Sequence, residues 1–323
     1  MSNRRDILAL ACAASLAPLA SPAAAQEWPK KTLTILVGFA PGGAVDHAAR
    51  IVAKKLTENL GQNVVVENKA GAGGNIAHQA VATAEPDGST ILLGSVGPLA
   101  IAPHLMKLPY DAQKDIAPLT LATNFASILV VPPQLGVKTL SELLALARRD
   151  GKAMNFGSTG PGSASHLAGE LFNARAGTEV VHIPYKGGAP AVNELLAGRL
   201  SMYFATMSTA GPHIATGRMI ALATTGTTRA PFLPDVPAVA EVLPGFTTTN
   251  WYAFVASARI PAPILERWNQ ELVKALKSPD VEAEMTRAGM APAPTSREEL
   301  ARFIDSESKL WAKVIAERKI TVQ

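Results

Sequence analysis

The chain has 323 residues, a formal net charge of +4 and a single cysteine, Cys12. Its length exceeds what one hydrophobic core normally sustains, which predicts two lobes. The charge is too small and too scattered for a nucleic-acid partner, and a lone thiol excludes disulfides within the chain.

The first 25 residues have the order of a secretory signal peptide. Arg4 and Arg5 precede an apolar run over residues 7–20, and three alanines stand before Gln26. The run is shorter than the ~20 residues that span a bilayer, so we expect cleavage at Ala25/Gln26 rather than a permanent anchor. The paired arginines also resemble a twin-arginine signal, so the Sec and Tat export routes both stay open. Cleavage would remove Cys12, which excludes cysteine metal sites and cysteine nucleophiles from the mature protein.

Beyond this segment, short apolar runs alternate with amphipathic stretches, which predicts an α/β protein with parallel strands. The first unit has strands at 33–39, 64–66 and 90–93, with helices at 45–60 and 75–83. The second unit has strands at 154–156, 180–183, 201–204 and 220–223, a helix opened by the Thr139 capping box, and helices at 166–175, 189–196 and 208–216. A strand at 247–256 and three helices follow, the last one capped at Ser296.

Glycine-rich loops follow the predicted strands. After the first strand stand Phe39, Ala40, Pro41, Gly42 and Gly43, just before a helix that contains Asp46. Glycine exposes main-chain N–H groups, and the positive end of a helix dipole attracts anions, so this loop predicts an anion site. A tight turn, with Asp46 as a favourable first-turn charge, is the alternative for any one such loop.

Similar loops recur at residues 67–75, 94–98 and 157–166, each at the carboxyl end of a strand. Open α/β sheets bind ligands at that edge. Four such loops in two units therefore predict a cleft that is lined by main-chain donors and hydroxyls, with the N–H groups of Gly42 and Gly43 facing a carboxylate.

Other chemistries find less support in the sequence. No strand leads into a dinucleotide or Walker motif, no serine fits the hydrolase elbow G-x-S-x-G, and the six histidines lack metal-ligand spacing. His166 is a candidate base near Ser163, Lys186 a candidate clamp on a carboxylate, and Trp251 and Tyr252 candidate roof residues. For each of them a local structural role is the alternative.

Several segments together resemble the Bug family, the solute receptors of tripartite tricarboxylate transporters. They are residues 39–50, 68–75, 110–111, 115–118, 155–169, 182–187 and 233–237. The resemblance implies a type II periplasmic-binding-protein fold, with two α/β lobes and a ligand cleft between them. It assigns residues 27–125 plus 225–323 to lobe 1 and residues 126–224 to lobe 2. The chain would cross between the lobes near residues 124–127 and 224–226.

The resemblance also implies the function. We expect a periplasmic receptor that captures a small di- or tricarboxylate or aromatic acid for a two-component membrane permease. The resemblance also implies that the protein catalyses no reaction and uses no cofactor. We expect a monomer that holds the carboxylate on the loops at residues 40–46 and 158–165, partly through water, without a metal. The predicted ligand-binding residues are Phe39, Ala40, Pro41, Gly42, Gly43, Asp46, Gly74, Asn75, Ser95, Ser158, Thr159, Gly160, Ser163, Ser165, His166, Ala205 and Thr206.

One position departs from the family pattern. Many relatives carry an aspartate after the strand at 201–204, where this chain has Ala205 and then Thr206. Because a carboxylate there would bind a ligand amine, its absence disfavours amino acids. Two alternatives remain open, a periplasmic serine hydrolase that uses Ser163 or Ser165 with His166, and a ligand-sensing subunit of a signalling system.

Overall fold

The computed structural model of the chain describes residues 28–318 and 320–321. The predicted signal peptide and its cleavage site lie outside the described residues. Among the described residues, ten strands form two five-stranded sheets. The strands are β1 (Leu33–Val37), β2 (Val64–Asn68), β3 (Thr90–Ser95), β4 (Ile116–Phe125), β5 (Ile128–Val131), β6 (Asn155–Ser158), β7 (Val181–Pro184), β8 (Met202–Ala205), β9 (Ile220–Thr224) and β10 (Asn250–Ser257).

The helices pack on both faces of the two sheets. They are α1 (Ala44–Leu60), α2 (Asn75–Ala82), α3 (Leu140–Asp150), α4 (Ala164–Ala176), α5 (Gly188–Leu196), α6 (Met207–Ala215), α7 (Ala262–Leu276), α8 (Pro279–Arg287) and α9 (Arg297–Arg318). Each strand and helix predicted from the sequence has a counterpart here. Within the described ranges, no helix has the length and apolarity needed to cross a bilayer.

The two sheets share one topology. The first has the order β2-β1-β3-β10-β4 and the second the order β7-β6-β8-β5-β9. In each sheet the first three strands are parallel, as predicted, and the fourth runs antiparallel to both of its neighbours. Parallel strands end at the same edge, so the glycine-rich loops of each sheet gather at one edge.

Burial on both faces explains the apolar sequences of the strands. Phe254 on one face of β10 and Trp251 on the other are both fully buried, in two separate apolar clusters. The Trp251 indole N–H donates to Glu307 Oε2 at 2.9 Å, and its ring packs against Phe303. Trp251 is therefore a core residue and does not cover a ligand site.

The chain passes between the sheets after β4 and again before β10. At this crossing, Ser127 N–H donates to Thr225 Oγ1 and Thr225 N–H donates to Ser127 O, both at 2.9 Å. The lobe boundaries stay a prediction. Part of the segment assigned to lobe 1 packs on the second sheet, where Phe246 stacks on Phe204 with ring centroids 6.0 Å apart.

Two strands, β4 and β5, were not predicted. β4 contains Pro118 and two buried threonines, Thr120 and Thr123, whose hydroxyls donate to the carbonyls of Thr295 and Ala291. Proline is tolerated there because β4 is an edge strand. No helix separates β4 from β5, so the strand–helix alternation on which the prediction relied is interrupted at this point.

Candidate functional site

The facing edges of the two sheets enclose a cavity of about 40 Å³. Seven predicted site residues line it, and they come from both lobes. They are Phe39, Gly43, Ser95, Thr159, Ser163, Ser165 and Thr206. The lining also includes Ala44, Val45 and Ala164 from the two predicted loops and the candidate roof residue Tyr252. Four further lining residues were not predicted, namely Gly188, Tyr203, Phe204 and Asn250.

Four helices begin at this cavity. α1 starts after Gly43, α4 after Ser163, α5 at Gly188 and α6 after Thr206. The N–H groups in the first turn of a helix have no partner within the helix, and the helix dipole places partial positive charge there. Among the described lining residues there is no Lys, Arg, His, Asp or Glu. The positive potential of the cavity therefore comes from main-chain dipoles.

The first loop is held by Asp46. Its Oδ2 accepts from the Gly42 N–H at 3.0 Å, and its two oxygens accept from Arg50 at 3.0 and 2.9 Å and from Asn68 at 2.9 Å. Burial alone would raise the pKa of Asp46, but the hydrogen bonds from Arg50, Gly42 and Asn68 outweigh burial and lower it. The Gly42 N–H is thus committed to Asp46, which corrects the expectation that it faces a ligand.

In the loop at residues 158–165, hydrogen bonds connect the hydroxyl-bearing residues to one another. Thr159 N–H donates to Ser165 Oγ at 3.0 Å, and Ser163 Oγ lies 3.3 Å from Ser165 Oγ. Ser163 Oγ also accepts from the His166 N–H, which caps α4. Ser158 is fully buried and lies behind the cavity lining, where its Oγ accepts from the Gly160 N–H at 3.0 Å.

The geometry argues against a serine hydrolase. His166 Nδ1 accepts from the Gly162 N–H at 3.2 Å, and its Nε2 lies 3.7 Å from Glu170 Oε1. Neither ring nitrogen bonds the hydroxyl of Ser163 or Ser165 among the described hydrogen bonds, so neither serine has a base. Within residues 28–318 and 320–321, no cluster of three or more His, Cys, Asp or Glu side chains is placed to hold a metal.

Two other predicted residues, Ala40 and Gly160, lie at a contact between the lobes, which we call the inter-lobe seam. The seam also includes Gly73, Gly97 and Gly187. The Ala40 N–H donates to Lys186 O at 2.8 Å, while the Lys186 side chain is exposed. A Cβ built on Gly160 would lie 2.7 Å from Gly73 N, and one built on Gly187 would lie 3.0 Å from Ala40 N. Only residues without a side chain permit this approach.

The remaining predicted residues surround the cavity without lining it. Asn75 accepts from the Tyr110 hydroxyl at 2.8 Å and donates to Ala72 O at 2.7 Å, so its side chain fixes a loop. Gly74 packs beside the Phe39 ring. Pro41 is exposed, and Ala205 is buried in the second sheet.

Three polar side chains at the cavity lack partners. Asn250 Oδ1 is buried without a hydrogen bond, and among the hydrogen bonds of the described residues neither the Tyr203 nor the Tyr252 hydroxyl has a partner. Burial raises the pKa of both phenols, so both stay neutral. The alternation of side chains along a strand places Tyr252 on the opposite face of β10 from its neighbour Trp251. This alternation could have identified Tyr252 as a site residue. No such signal separates Tyr203 from a core tyrosine.

Comparison with known proteins agrees with this architecture. The model of the family described as "Tripartite tricarboxylate transporter family receptor" matches residues 48–320. A UPF0065 protein from the tcbD-tcbE intergenic region of Pseudomonas sp. strain P51 is 38% identical, over 98% of this chain and 95% of that protein. Protein BugT of Bordetella pertussis is 34% identical, over 98% of both chains.

Solved structures of similar proteins superimpose over nearly the whole chain. The periplasmic binding protein BugD has a TM-score of 0.88 and 30% identity, covering 92% of this chain and all of that one. Rpa4515 of R. palustris, solved with adipate, has a TM-score of 0.88 and 30% identity, covering 91% and 99%. MatC of Rhodopseudomonas palustris, solved with malate, has a TM-score of 0.84 and 31% identity, covering 89% and 100%.

The two-lobed α/β fold predicted from the sequence is thereby confirmed. The family model spans most of the chain, and the two relatives named above each align with 98% of it. The chain belongs to the tripartite tricarboxylate transporter receptor family, whose members are periplasmic solute-binding receptors and not enzymes.

Proposed function

We propose that the protein captures a small carboxylate between its lobes, a di- or tricarboxylate or an aromatic acid, and delivers it to a two-component membrane permease. The observation that carries this proposal is the convergence of four helix N-termini, from both lobes, on one cavity. Main-chain N–H groups at helix starts bind carboxylates well, because they supply donors and partial positive charge without a cation.

The chemistry of the lining narrows the ligand class. No described lining residue is an acid that could pair with a ligand amine. Serine and threonine hydroxyls surround the helix starts and add donors for a carboxylate. Relatives solved with adipate and with malate, two acids without an amine, support the same class.

The size of the cavity requires motion. A volume of about 40 Å³ holds about three water molecules, at ~10–15 Å³ for each. A dicarboxylate is larger, so the lobes must separate for it to enter and then close around it. The paired main chains at Ser127 and Thr225 are where such a hinge would bend.

Export and assembly complete the proposal. We infer a monomer that reaches the periplasm by the Sec or Tat route, with cleavage near Gln26. N-terminal sequencing of the periplasmic protein tests the cleavage. A mature chain that retains residues 7–20 would contradict it and would favour an anchored form.

A thermal-shift assay tests the ligand class. The mature protein is melted with malate, adipate and a panel of aromatic acids, each paired with its methyl ester as an uncharged control of similar shape. We expect at least one acid to raise the melting temperature while its ester does not. Equal shifts with acid and ester, or a preference for amines, would contradict the proposal.

A further inference from the structure

Three stacked rings lie directly behind the second ligand loop. The imidazole of His182 is sandwiched between Phe156 and His166, with ring centroids 5.0 and 4.1 Å away and interplanar angles of 25° and 29°. The two histidines do not line the ligand cavity. They face a separate cleft of about 590 Å³ on the other side of the loop, which Glu170 and Thr321 also line.

The hydrogen bonds of His166 fix its tautomer. Its Nδ1 lies 3.2 Å from the main-chain nitrogen of Gly162. A main-chain N–H can only donate, so Nδ1 must carry the lone pair and the ring proton sits on Nε2. A second proton on this ring would point at the Gly162 N–H and break that bond.

His182 takes the opposite tautomer. Its Nε2 lies 2.6 Å from Ser158 Oγ, which already accepts from the Gly160 N–H at 3.0 Å. Ser158 is fully buried, and its hydroxyl proton has one available acceptor among the described residues, the Nε2 of His182. The hydroxyl therefore donates to Nε2, and the ring proton sits on Nδ1. Protonating Nε2 would leave the buried hydroxyl proton without a partner.

These bonds hold the two glycines of the loop. Gly160 and Gly162 have φ values of +128° and +72°. Backbone in this positive-φ region is sparsely populated, so contacts with neighbouring groups are needed to hold it there. His182 holds Gly160 through Ser158, and His166 holds Gly162 directly. Thr159 and Ser163, which line the ligand cavity, lie beside these glycines. The rings thus set where the hydroxyls of the loop stand.

Burial favours the neutral forms of both rings, although a carboxyl group faces one of them. Burial lowers the pKa of His166 to about 4, and burial followed by the proximity of His166 lowers the pKa of His182 to about 3. From α4, Glu170 Oε1 faces His166 Nε2 at 3.7 Å, and burial raises the pKa of this carboxyl. Glu179, before β7, is the other ionisable group that lines the cleft, and Ile320 and Thr321 contribute none from the first lobe.

We propose that His166 and His182 are positioning residues. As neutral rings of opposite tautomer they hold the loop of residues 158–163 in the conformation in which Thr159 and Ser163 line the ligand cavity. Protonation of either ring releases the loop. The effect on ligand rests on the proposed function above. The tautomers and the loop bonds do not depend on it.

Nitrogen-15 NMR of the mature protein, labelled at histidine, tests the tautomers directly. At pH 7 we expect His166 to be protonated on Nε2 alone and His182 on Nδ1 alone. The same tautomer on both rings, or a charged ring at pH 7, would overturn the proposal. This measurement uses the wild-type chain and no ligand, so it decides the question even if variants fold poorly.

Matched substitutions separate hydrogen bonding from packing. His166→Asn keeps an acceptor near the Nδ1 position, whereas His166→Leu fills similar space without one. We expect hydrogen exchange at the Gly162 amide to be about tenfold faster in His166→Leu and near wild type in His166→Asn. His182→Gln and His182→Leu should behave in the same way at the Gly160 amide. Equal exchange in the two members of a pair would contradict the positioning role.

The consequence for binding is measured with malate and adipate as probes. Between pH 7 and 4, the titration of the acid itself affects every variant equally. At pH 4 about half of the molecules carry a proton on His166, so we expect wild-type affinity to fall about twofold further than the affinity of the double variant His166→Asn, His182→Gln. Parallel pH profiles would overturn the release step. Wild-type protein that binds neither acid at pH 7 would count against the dicarboxylate part of the proposed function, while the tautomer and exchange results would still decide the positioning role.

Discussion

The main-chain N–H of Ala40, at the end of the first sheet, donates a 2.8 Å hydrogen bond to the carbonyl oxygen of Lys186, beside the second sheet. This bond joins the loop after β1 to the loop before α5, and both loops border the cavity. The lobes are therefore in contact through their main chains. Glycines at the inter-lobe seam allow this contact, which explains why the predicted ligand loops are so rich in glycine.

Gly160→Ala should prevent this closure. A Cβ at Gly160 would lie 2.7 Å from Gly73 N and 2.8 Å from Gly73 Cα across the inter-lobe seam. We expect small-angle scattering to give a larger radius of gyration than for wild type, with or without ligand. The control is Gly177→Ala, which also has a positive φ, +66°, but no atom within 4 Å of the added carbon. Equal radii for the two variants would contradict closure at this seam.

Gly43→Val should remove ligand binding without unfolding the protein. Gly43 has φ −80° and ψ 170°, which any residue adopts, and an added Cβ lies 3.5 Å from the nearest atom. The rest of the side chain would obstruct the starts of α1 and α5. A ligand at a hundred times its Kd stabilises the native state by ~2.7 kcal/mol, and we expect this melting shift to vanish.

Lys186→Ala is the comparison for Gly43→Val. Its side chain is exposed, and the main-chain bond to Ala40 survives the substitution. We expect most of the ligand-induced melting shift to remain. A full shift in Gly43→Val, with normal folding, would show that the first loop does not hold the carboxylate.

Tyr203→Phe and Tyr252→Phe should change ligand affinity more than stability. Neither hydroxyl has a hydrogen-bond partner among the described residues, so removing it should alter the free energy of unfolding by less than ~1 kcal/mol. Isothermal titration should show weaker binding of acids that carry a polar group remote from the carboxylate. The control is Tyr110→Phe, because the wild-type Tyr110 hydroxyl donates to Asn75. Removing this hydroxyl should lower the free energy of unfolding by ~1 kcal/mol. Unchanged affinity for every acid in both cavity variants would contradict a polar role for these tyrosines.

Stability should fall as the pH drops from about 6.5 toward 4. Burial lowers the pKa of His78 and of His166 to about 4 in the folded protein, whereas an unfolded histidine titrates near 6.5. In this window the unfolded chain binds more protons than the folded protein does. Each of the two histidines therefore lowers the free energy of unfolding by up to ~1.4 kcal/mol for each pH unit of acidification. Urea unfolding at pH 7 and 5 measures the loss.

One variant identifies the share of His166 in this pH dependence. His166→Asn should reduce the slope, because asparagine takes up no proton in the folded or the unfolded chain. Stability that is constant or rises on acidification through this window would contradict the neutral, buried state of His78 and His166.

Much of the fold was predictable because its signals are local. The apolar run of β1 and the Ser296 capping box each depend on neighbouring residues, and the box forms as predicted, with Ser296 N–H donating to Glu299 Oε2 at 2.8 Å. β4 was not predicted because Pro118 and its buried threonines are untypical of a buried strand. The carbonyl groups that accept hydrogen bonds from these threonines lie far along the chain, at Thr295 and Ala291.

The site was less predictable because its geometry is set across lobes. Gly43, Ser163 and Thr206 were found because each stands at the start of a helix after a strand. Tyr203 was missed because a buried strand tyrosine looks the same whether it faces a core or a cavity. The partner of the Gly42 amide was missed because Asp46 serves equally well as a first-turn charge and as an acceptor.

Mass spectrometry of the molecule carried by the mature protein tests the central claim most directly. The protein is purified from periplasm without denaturation, its low-mass ligand is released by unfolding, and the ligand is identified by accurate mass and fragmentation. We predict an organic acid with at least one carboxylate and no amine, which the Gly43→Val protein does not carry. A neutral or cationic solute, bound by wild type and lost in Gly43→Val, would contradict the assignment of this cavity to a carboxylate.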